Sequence, residues 1–293
     1  MKMNIREALR YAKDCLSPFS DEAAKEARII VSHLAELPPN RLAICEDDIQ
    51  KEKIDTIIEK RKEGRPLQYI LGKWWFYKSE FLVGEGVLIP RQDTEILVET
   101  AIDLLKGKQN PTVCDLCSGS GCIAVSIALE RNDATVIAVE KYDEAFEYLV
   151  KNINHNKSKN AEAVKYDVTE KPFGKYDFIV CNPPYIPEAE KNDLSREVLN
   201  EPHSALFGGD DGLYFYRIIT KNWKQCLNPD GILAFEVGIK EADEVKEILK
   251  KEGFTNIGTR QDLIGIQRVV FGTVNSIKYR QINIEGGKNY VRR

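Results

Sequence analysis

The 293-residue chain predicts an α/β fold, in which a doubly wound, mostly parallel sheet of seven strands follows a small N-terminal helical domain and a connecting β-hairpin. Three observations carry this. From about residue 94, short apolar runs alternate with amphipathic segments, the pattern of a sheet covered by helices on both faces. Residues 1 to 64 instead place their apolar residues at spacings of three and four throughout. Between them, in RPLQYILGKWWFYKSEFLVGEGVLIPRQ (65–92), two aromatic and β-branched runs flank a polar KSE, as in a hairpin.

The helical start reads in three segments: NIREALRYAKDCL (4–16), SDEAAKEARIIVSHLAEL (20–37) and DDIQKEKIDTIIEKRKEG (47–64), each with a solvated charged face. Ser20 precedes two acids and is placed to cap the second helix. PPN at 38–40 turns the chain, and Gly64 followed by Arg65 and Pro66 stops the third helix. Trp74 and Trp75 face opposite sides of a strand, where they could pack or line a cleft, with packing as the expected role. Helix DTEILVETAIDLLKG then leads into strand TVCDL, loop CSGSGC, helix IAVSIALERN, strand TVIAVE, helix DEAFEYLVKNINHN and strands AEAVKYD and YDFIVCN. Helix GLYFYRIITKNWKQCL, strand GILAFEV, helix KEADEVKEILKKEG and strands NIGTRQD and RVVFGTV complete the sheet. The link between the last two strands is too short for a parallel crossover, so they pair antiparallel. The chain thus divides at 1–72, 73–92 and 93–274, with a polar, loosely ordered tail at 275–293.

At 43% hydrophobic and 30% charged residues the chain has material for a real core. A net charge of −4 and a pI near 5.7 give no sign of a nucleic-acid binder. No apolar run reaches the length of a membrane span, and MKMNIREALRY has no signal-peptide pattern. Seven scattered cysteines, an odd number, suggest reduced thiols and a cytoplasmic setting. Cys114, Cys117 and Cys122 form a C-x-x-C-x4-C string, but no second pair or histidine cluster completes a metal site, so they read as small packing residues and no metal is expected.

DLCSGSGCIA follows the first strand of the sheet and opens a helix. Gly119, Gly121 and Ala124 satisfy G-x-G-x-x-A, where the first glycine permits a tight turn, the second admits a ligand to the backbone, and the small third residue brings helix and sheet together. Glu140, 21 residues beyond Gly119 at the end of the second strand, is placed to accept both hydroxyls of an adenosine ribose. This is a Rossmann-like nucleoside site. A dinucleotide would lay its pyrophosphate on the helix N-terminus. S-adenosylmethionine (SAM) has no phosphate and carries a cationic end, which Asp115 at the end of the first strand could face, while Asp167 at the end of the third could accept from the adenine amino group. Acids at three successive strand ends suit SAM better, although Asp115 and Asp167 also read as helix caps or surface residues.

NPPY, Asn182 to Tyr185, ends the fourth strand and faces the same crevice. Asn182 offers a side-chain carbonyl, and Pro183 a backbone carbonyl whose direction the prolines fix. Two converging acceptors can hold both hydrogens of a planar –NH2 group, and Tyr185 offers a face for stacking. Such a grip orients a poorly nucleophilic nitrogen at a sulfonium methyl and stabilises the resulting charge, with no strong general base. His203, in EPHSALFGG, reads as a loop residue supporting a lid over the site; His33 and His155 carry no motif.

NPPY marks SAM-dependent methyltransferases acting on planar nitrogens, both adenine-N6 and glutamine-N5. RPLQYILG, FY, VLIPRQDTE, DLCSGSGCIAVSIA, VCNPPYIP, EPHSALFGGDDGLYFYR and RVVFG, colinear from residue 65 to 272, resemble the release-factor glutamine N5-methyltransferase family (PrmC/HemK type). The resemblance implies a seven-stranded SAM-dependent methyltransferase domain, a helical substrate-recognition domain, and the glutamine of the Gly-Gly-Gln loop of peptide-chain release factors as target. It implies that Gly119, Gly121, Glu140 and Asp167, with Asp115 and Asn182, bind the cofactor, that Asn182, Pro183, Pro184 and Tyr185 hold the substrate amide, and that Ile89–Arg91 lies near the cofactor pocket. Catalysis falls to Asn182, Pro183 and Tyr185. A monomer acting on a protein, with no membrane or direct nucleic-acid partner, is expected; the alternative is an adenine-N6 nucleic-acid methyltransferase using the same motif on a flipped base. Gln92, Cys117 and Gln267 depart from the family pattern, where proline, glycine or alanine, and aspartate are usual.

Overall fold

A computed structural model describes residues 1–44, 47–262 and 264–274. The tail expected at 275–293 lies outside these residues, as does Cys45. The described residues form two compact units, one of Met1–Trp74, Val83–Glu85 and Ser195–Asn200, the other of Trp75–Leu82 and Gly86–Leu194 with the described residues from Glu201 onward.

In the first unit, β1 (Lys2–Met3) precedes α1 (Ile5–Leu16) and α2 (Ala23–Leu34), and β2 (Ile49–Gln50) pairs antiparallel with β1 before α3 (Lys51–Lys62) and α4 (Leu67–Leu71). Asn4 and Glu7 close a reciprocal capping box on α1. Ser20 is not the cap of α2. Glu22 occupies that position, while the Ser20 hydroxyl accepts the Glu22 N–H at 3.2 Å and donates to Glu26 at 2.8 Å. Not every charged side chain on these helices is solvated. Arg61 and Glu26 are buried as a two-pronged ion pair at 2.9 Å for each contact, and Arg61 also reaches Glu197 at 2.5 Å. Its partners are what permit a guanidinium in the core made by Ala8, Leu16, Ile30, Ile54 and Ile58.

The stretch LQYIL, which falls in the helical part that ends at residue 72, forms the short helix α4. The hairpin follows as β3 (Lys73–Phe76) and β4 (Ser79–Leu82), with Phe76 and Phe81 buried edge to face. Trp75 is 66% exposed, so packing is not its role.

The second unit continues through α5 (Glu95–Leu104), β5 (Thr112–Leu116), α6 (Cys122–Glu130), β6 (Thr135–Glu140), α7 (Asp143–His155), β7 (Ala161–Lys165) and β8 (Tyr176–Cys181). It ends with α8 (His203–Leu206), α9 (Tyr214–Trp223), β9 (Leu227–Glu236), α10 (Ala242–Lys251), β10 (Phe254–Gln261) and β11 (Gln267–Val274). The seven strands lie in the order β10-β11-β9-β8-β5-β6-β7. The five from β9 to β7 are parallel, and β11 pairs antiparallel with both β9 and β10, as the short final link requires. Alternation along β8 sends Phe178 and Val180 into one apolar layer with Leu97, Ile123 and Leu149, and Ile179 and Cys181 into the other with Tyr216, Trp223 and Val245. The order reverses between β5 and β8, so the loops leaving these neighbours part to opposite sides and open a crevice. Register pairs Leu116 with Cys181, which sets the glycine loop beside NPPY. Among the described residues, no helix is long and apolar enough to cross a membrane.

Candidate active site

A cavity of about 260 Å³ opens at these strand ends, lined among others by Arg91, Gly119, Glu140, Asp167, Asn182 and Pro184. All of its walls come from the second unit. The glycine loop forms one wall and is tied down by its backbone: Ser118 N–H donates to Val139 O at 2.9 Å and Gly121 N–H to Ser118 O at 2.8 Å. The two glycines exchange the roles read from the motif. Gly119 faces the cavity, and a Cβ there would meet no atom within 4 Å. Gly121 does not line it. It adopts φ +79° at the cap of α6, where a Cβ would stand 2.5 Å from Leu149 Cδ1, so it brings α6 and α7 together.

Glu140 is buried, and its carboxylate accepts three backbone N–H groups: Gly119 at 2.9 Å, Lys141 at 2.7 Å and Tyr142 at 2.9 Å. Asp167 Oδ1 takes the Thr169 N–H and hydroxyl, and Oδ2 pairs with Lys141 at 2.8 Å. Burial pushes the Asp167 carboxyl up, but the Lys141 and Thr169 hydrogen bonds prevail and hold it below its ordinary range. Asp115 does not reach the cavity. It is fully buried beneath the loop, where Oδ2 accepts the Ala124 N–H at 3.2 Å in the first turn of α6, and Oδ1 has no partner. This is the helix-cap reading of that acid. Burial pushes its carboxyl up to about 7 against the hydrogen bond from Ala124.

NPPY is clamped by the segment that carries EPHSALFGG. Ile186 N–H donates to Leu206 O and Gly208 N–H to Ile186 O, both at 2.9 Å. A Cβ on Gly208 would lie 2.6 Å from the Pro184 carbonyl oxygen, so only glycine permits this approach. Asn182 and Pro184 line the cavity; Pro183 is buried and does not, and neither does Tyr185. The Tyr185 ring packs beside Gly238 rather than presenting an open face, and burial raises its phenol above the ordinary range. His203 is outside the lining too, stacked on Phe207 at 4.3 Å and 3.4 Å from Glu188, as a supporting loop residue. Ile89–Arg91 is pinned by buried Glu201, which accepts the Ile89 N–H at 2.9 Å and pairs with Arg91.

Sequence reasoning missed a polar cluster behind Asn182. Asn182 Nδ2 donates to the buried Thr94 hydroxyl at 3.3 Å, and Glu236 ends the neighbouring strand β9 with its carboxyl buried and Oε2 without a partner. Arg268 stands nearby, paired with Asp93 at 2.7 Å and Asp262 at 3.1 Å, while the neighbouring Gln267 leaves its buried Oε1 unpartnered. Glu236 carried a signal that could have found it, being one more acid at the carboxyl end of a parallel strand. Cys117 lines the cavity at φ +58°, where glycine would be unstrained. Gln92 opens a 3-10 turn over Gln92–Thr94 without proline.

The donor set fits an adenosine, while Asp115, the acid expected to face a cationic end, lies outside the cavity. Glu140 and Asp167 supply carboxylates, Gly119 an open floor, and Tyr142, Tyr214 and Phe215 aromatic walls. The cations at the rim, Arg91 and Lys141, are engaged by Glu201 and Asp167, which leaves little to neutralise a pyrophosphate.

A family model for the methyltransferase small domain matches residues 92–213, and one for the PrmC N-terminal domain matches residues 7–72. The release factor glutamine methyltransferase of Clostridium acetobutylicum is 40% identical over 281 residues, 92% of this chain and 98% of that protein. Its counterpart in Thermodesulfovibrio yellowstonii is 36% identical over 272 residues, 90% and 97% of the two chains. Among solved structures, the hMettl16 catalytic domain in complex with MAT2A 3′UTR hairpin 1 matches with a TM-score of 0.54 over 94% of each chain; at 16% identity this is a likeness of fold alone. With two relatives matched along nearly their whole lengths, the chain belongs to the release factor glutamine methyltransferase family.

Proposed function

We propose that the chain methylates the side-chain amide nitrogen of the glutamine in the Gly-Gly-Gln motif of peptide-chain release factors, using SAM and working as a monomer in the cytoplasm. The observation that carries this is the register of β5 on β8 and on β6, which brings Gly119, Glu140 and Asn182 to one cavity in a chain of this family. When bound, SAM supplies an electrophilic methyl group on a sulfonium. Gly119 gives it access to bare backbone, Glu140 keeps about one lone-pair site for a ribose hydroxyl beyond those its three backbone donors use, and Asp167 faces the adenine amino group. Asn182 Oδ1 accepts one hydrogen of the substrate amide, and the Pro183 carbonyl takes the other. Held this way, the nitrogen directs its lone pair at the methyl carbon. The methyl–sulfur bond would break as the N–C bond forms, leaving a neutral thioether; positive charge would pass to the nitrogen beside the two carbonyl dipoles, and the nitrogen would then release one proton to water. Tyr185 fixes the loop through its packing on Gly238.

The test is mass spectrometry of a purified release factor after incubation with this protein and SAM. One added methyl group on the Gly-Gly-Gln glutamine is expected. Methyl label appearing on adenine in an oligonucleotide, with none on the release factor, would overturn the reading.

A further inference from the structure

An asparagine amide offers an acceptor oxygen and two donor hydrogens in one plane, so it can bond a peptide unit much as a neighbouring strand would. Asn152, on α7, is fully buried, and every one of these is used. Its Oδ1 accepts the Leu82 N–H at 2.7 Å, and its Nδ2 donates to Leu82 O and to Ser120 O, each at 2.9 Å. Leu82 ends β4, and the chain beyond it supplies Gly86, Leu88, Pro90 and Arg91 to the cavity. Ser120 stands between the two glycines of the loop that forms another wall. Both walls also approach α7 closely: a Cβ on Gly86 would lie 2.5 Å from Glu144 Cβ, and one on Gly121 2.5 Å from Leu149 Cδ1. Neither Asn152 nor Leu82 lines the cavity itself.

We infer that Asn152 is a positioning residue for the cofactor: from behind the cavity it fastens the glycine loop and the Gly86–Arg91 wall to one helix and so sets the distance between them. It also fixes a peptide. Gly119 and Gly121, both at positive φ, flank Ser120, and glycine neighbours leave a peptide free to rotate. With its carbonyl held by Asn152, a residue outside the cavity, Ser120 cannot turn that oxygen toward a ligand, and the Gly121 N–H stays on Ser118 O at 2.8 Å. Removing the amide takes this partner from Ser120 O and from both Leu82 groups at once, and the loop and the wall lose the side chain that joins them. Asn152 touches neither cofactor nor substrate and acts through Ser120 and Leu82. The inference rests on the reading that the cavity takes SAM.

The experiment is calorimetry of SAM binding to the full chain, with thermal melts and turnover on a release factor measured on the same preparations. Asn152→Ala deletes the amide and leaves room for water. Asn152→Asp keeps an acceptor for the Leu82 N–H but puts an oxygen where both donors were. Each variant should raise the Kd for SAM by about tenfold or more, the order expected when hydrogen bonds to buried carbonyls are lost. At saturating SAM, kcat and the KM for the release factor should stay near the parent's. Asn156→Ala is the control. It removes the bond from Asn156 Nδ2 to Glu80 O at 3.0 Å, which loosens the same hairpin without touching the glycine loop. It should lower Tm and leave the Kd for SAM unchanged, whereas a merely structural role would move that Kd alike at both positions. A parental Kd in either Asn152 variant, an equal rise in Asn156→Ala, or failure of both Asn152 variants to fold would overturn the positioning role. Absence of SAM binding by the parent would instead overturn the reading of the cavity on which it rests.

Discussion

Glu140 Oε2 accepts the backbone N–H of Gly119 at 2.9 Å, so the acid at the end of β6 holds in place the glycine loop beside which it lines the cavity. Its other oxygen holds the turn into α7 through Lys141 and Tyr142. Glu140→Ala therefore removes a ribose acceptor and frees three backbone donors at once. Hydrogen bonds to charged groups are the stronger kind, so SAM binding should weaken by about tenfold or more. Isothermal calorimetry checks this, and an unchanged Kd would remove Glu140 from the cofactor site.

Asn182→Ala should do the reverse. Asn182 borders the same cavity, but its proposed role is in the transition state, where the amide nitrogen gains charge. Loss of one preorganised dipole of this kind typically costs about a hundredfold in kcat. Turnover should fall by that order while SAM affinity stays near the parent's. If calorimetry shows SAM binding collapsing with turnover, Asn182 belongs to the cofactor site.

What was legible in the sequence was what short-range chemistry dictates. TVCDL and TVIAVE coincide with β5 and β6 because turn residues bound them on both sides. The acid after TVIAVE and the motif after YDFIVC followed from the rule that ligands sit at the carboxyl ends of parallel strands. What was not legible depends on partners distant in sequence. Asp115 could be named, but its burial under the loop follows from how closely α6 docks, which Leu149 on α7 decides. Asn152 on α7 ties Ser120 O to the end of β4, donating at 2.9 Å to both Ser120 O and Leu82 O, and no local pattern announces it. Glu236 is one of 46 acids, and only the pairing of β9 with β8 brings it to Asn182.

Gly208 sets the height of NPPY. A methyl group there would stand 2.5 Å from Gly212 O and 2.6 Å from Pro184 O, both backbone atoms that cannot rotate away. Gly208→Ala must push the Pro184–Ile186 segment, and with it Asn182, off its position. A misplacement of this size is enough to lower kcat by about tenfold to a hundredfold. The glycine loop is held by its own contacts to Val139 and Glu140, so SAM binding should survive. Turnover and calorimetry on the same preparation test this; parental kcat would mean that the clamp does not position the motif.

Stability should decline as pH rises through neutrality. Asp115, Glu236 and Glu241 are each pushed up to about 7, in every case first by burial, from ordinary values of 3.8 and 4.5. Between those ordinary values and 7 the folded chain keeps protons that the unfolded chain has released. The unfolded state binds fewer protons there, so the stability from these groups is complete at acid pH and is lost as pH climbs through the window. Asp133, Asp177 and Asp211 act oppositely, but they are lowered to about 2, and their contribution is lost only on acidification below 3.8. The slope from pH 5 to 8 therefore belongs to the raised carboxyls, and Tm should be several degrees lower at pH 8, each kcal/mol moving it by about 2–4 °C in a chain of this size. Asp115→Asn keeps an oxygen for the Ala124 N–H but cannot ionise, so its melts should fall less steeply over the same range. Thermal melts of both proteins at pH 5 and pH 8 decide it. A parent Tm that is flat or rises toward pH 8, or an equal slope in the variant, would show that these carboxyls do not carry the proton linkage.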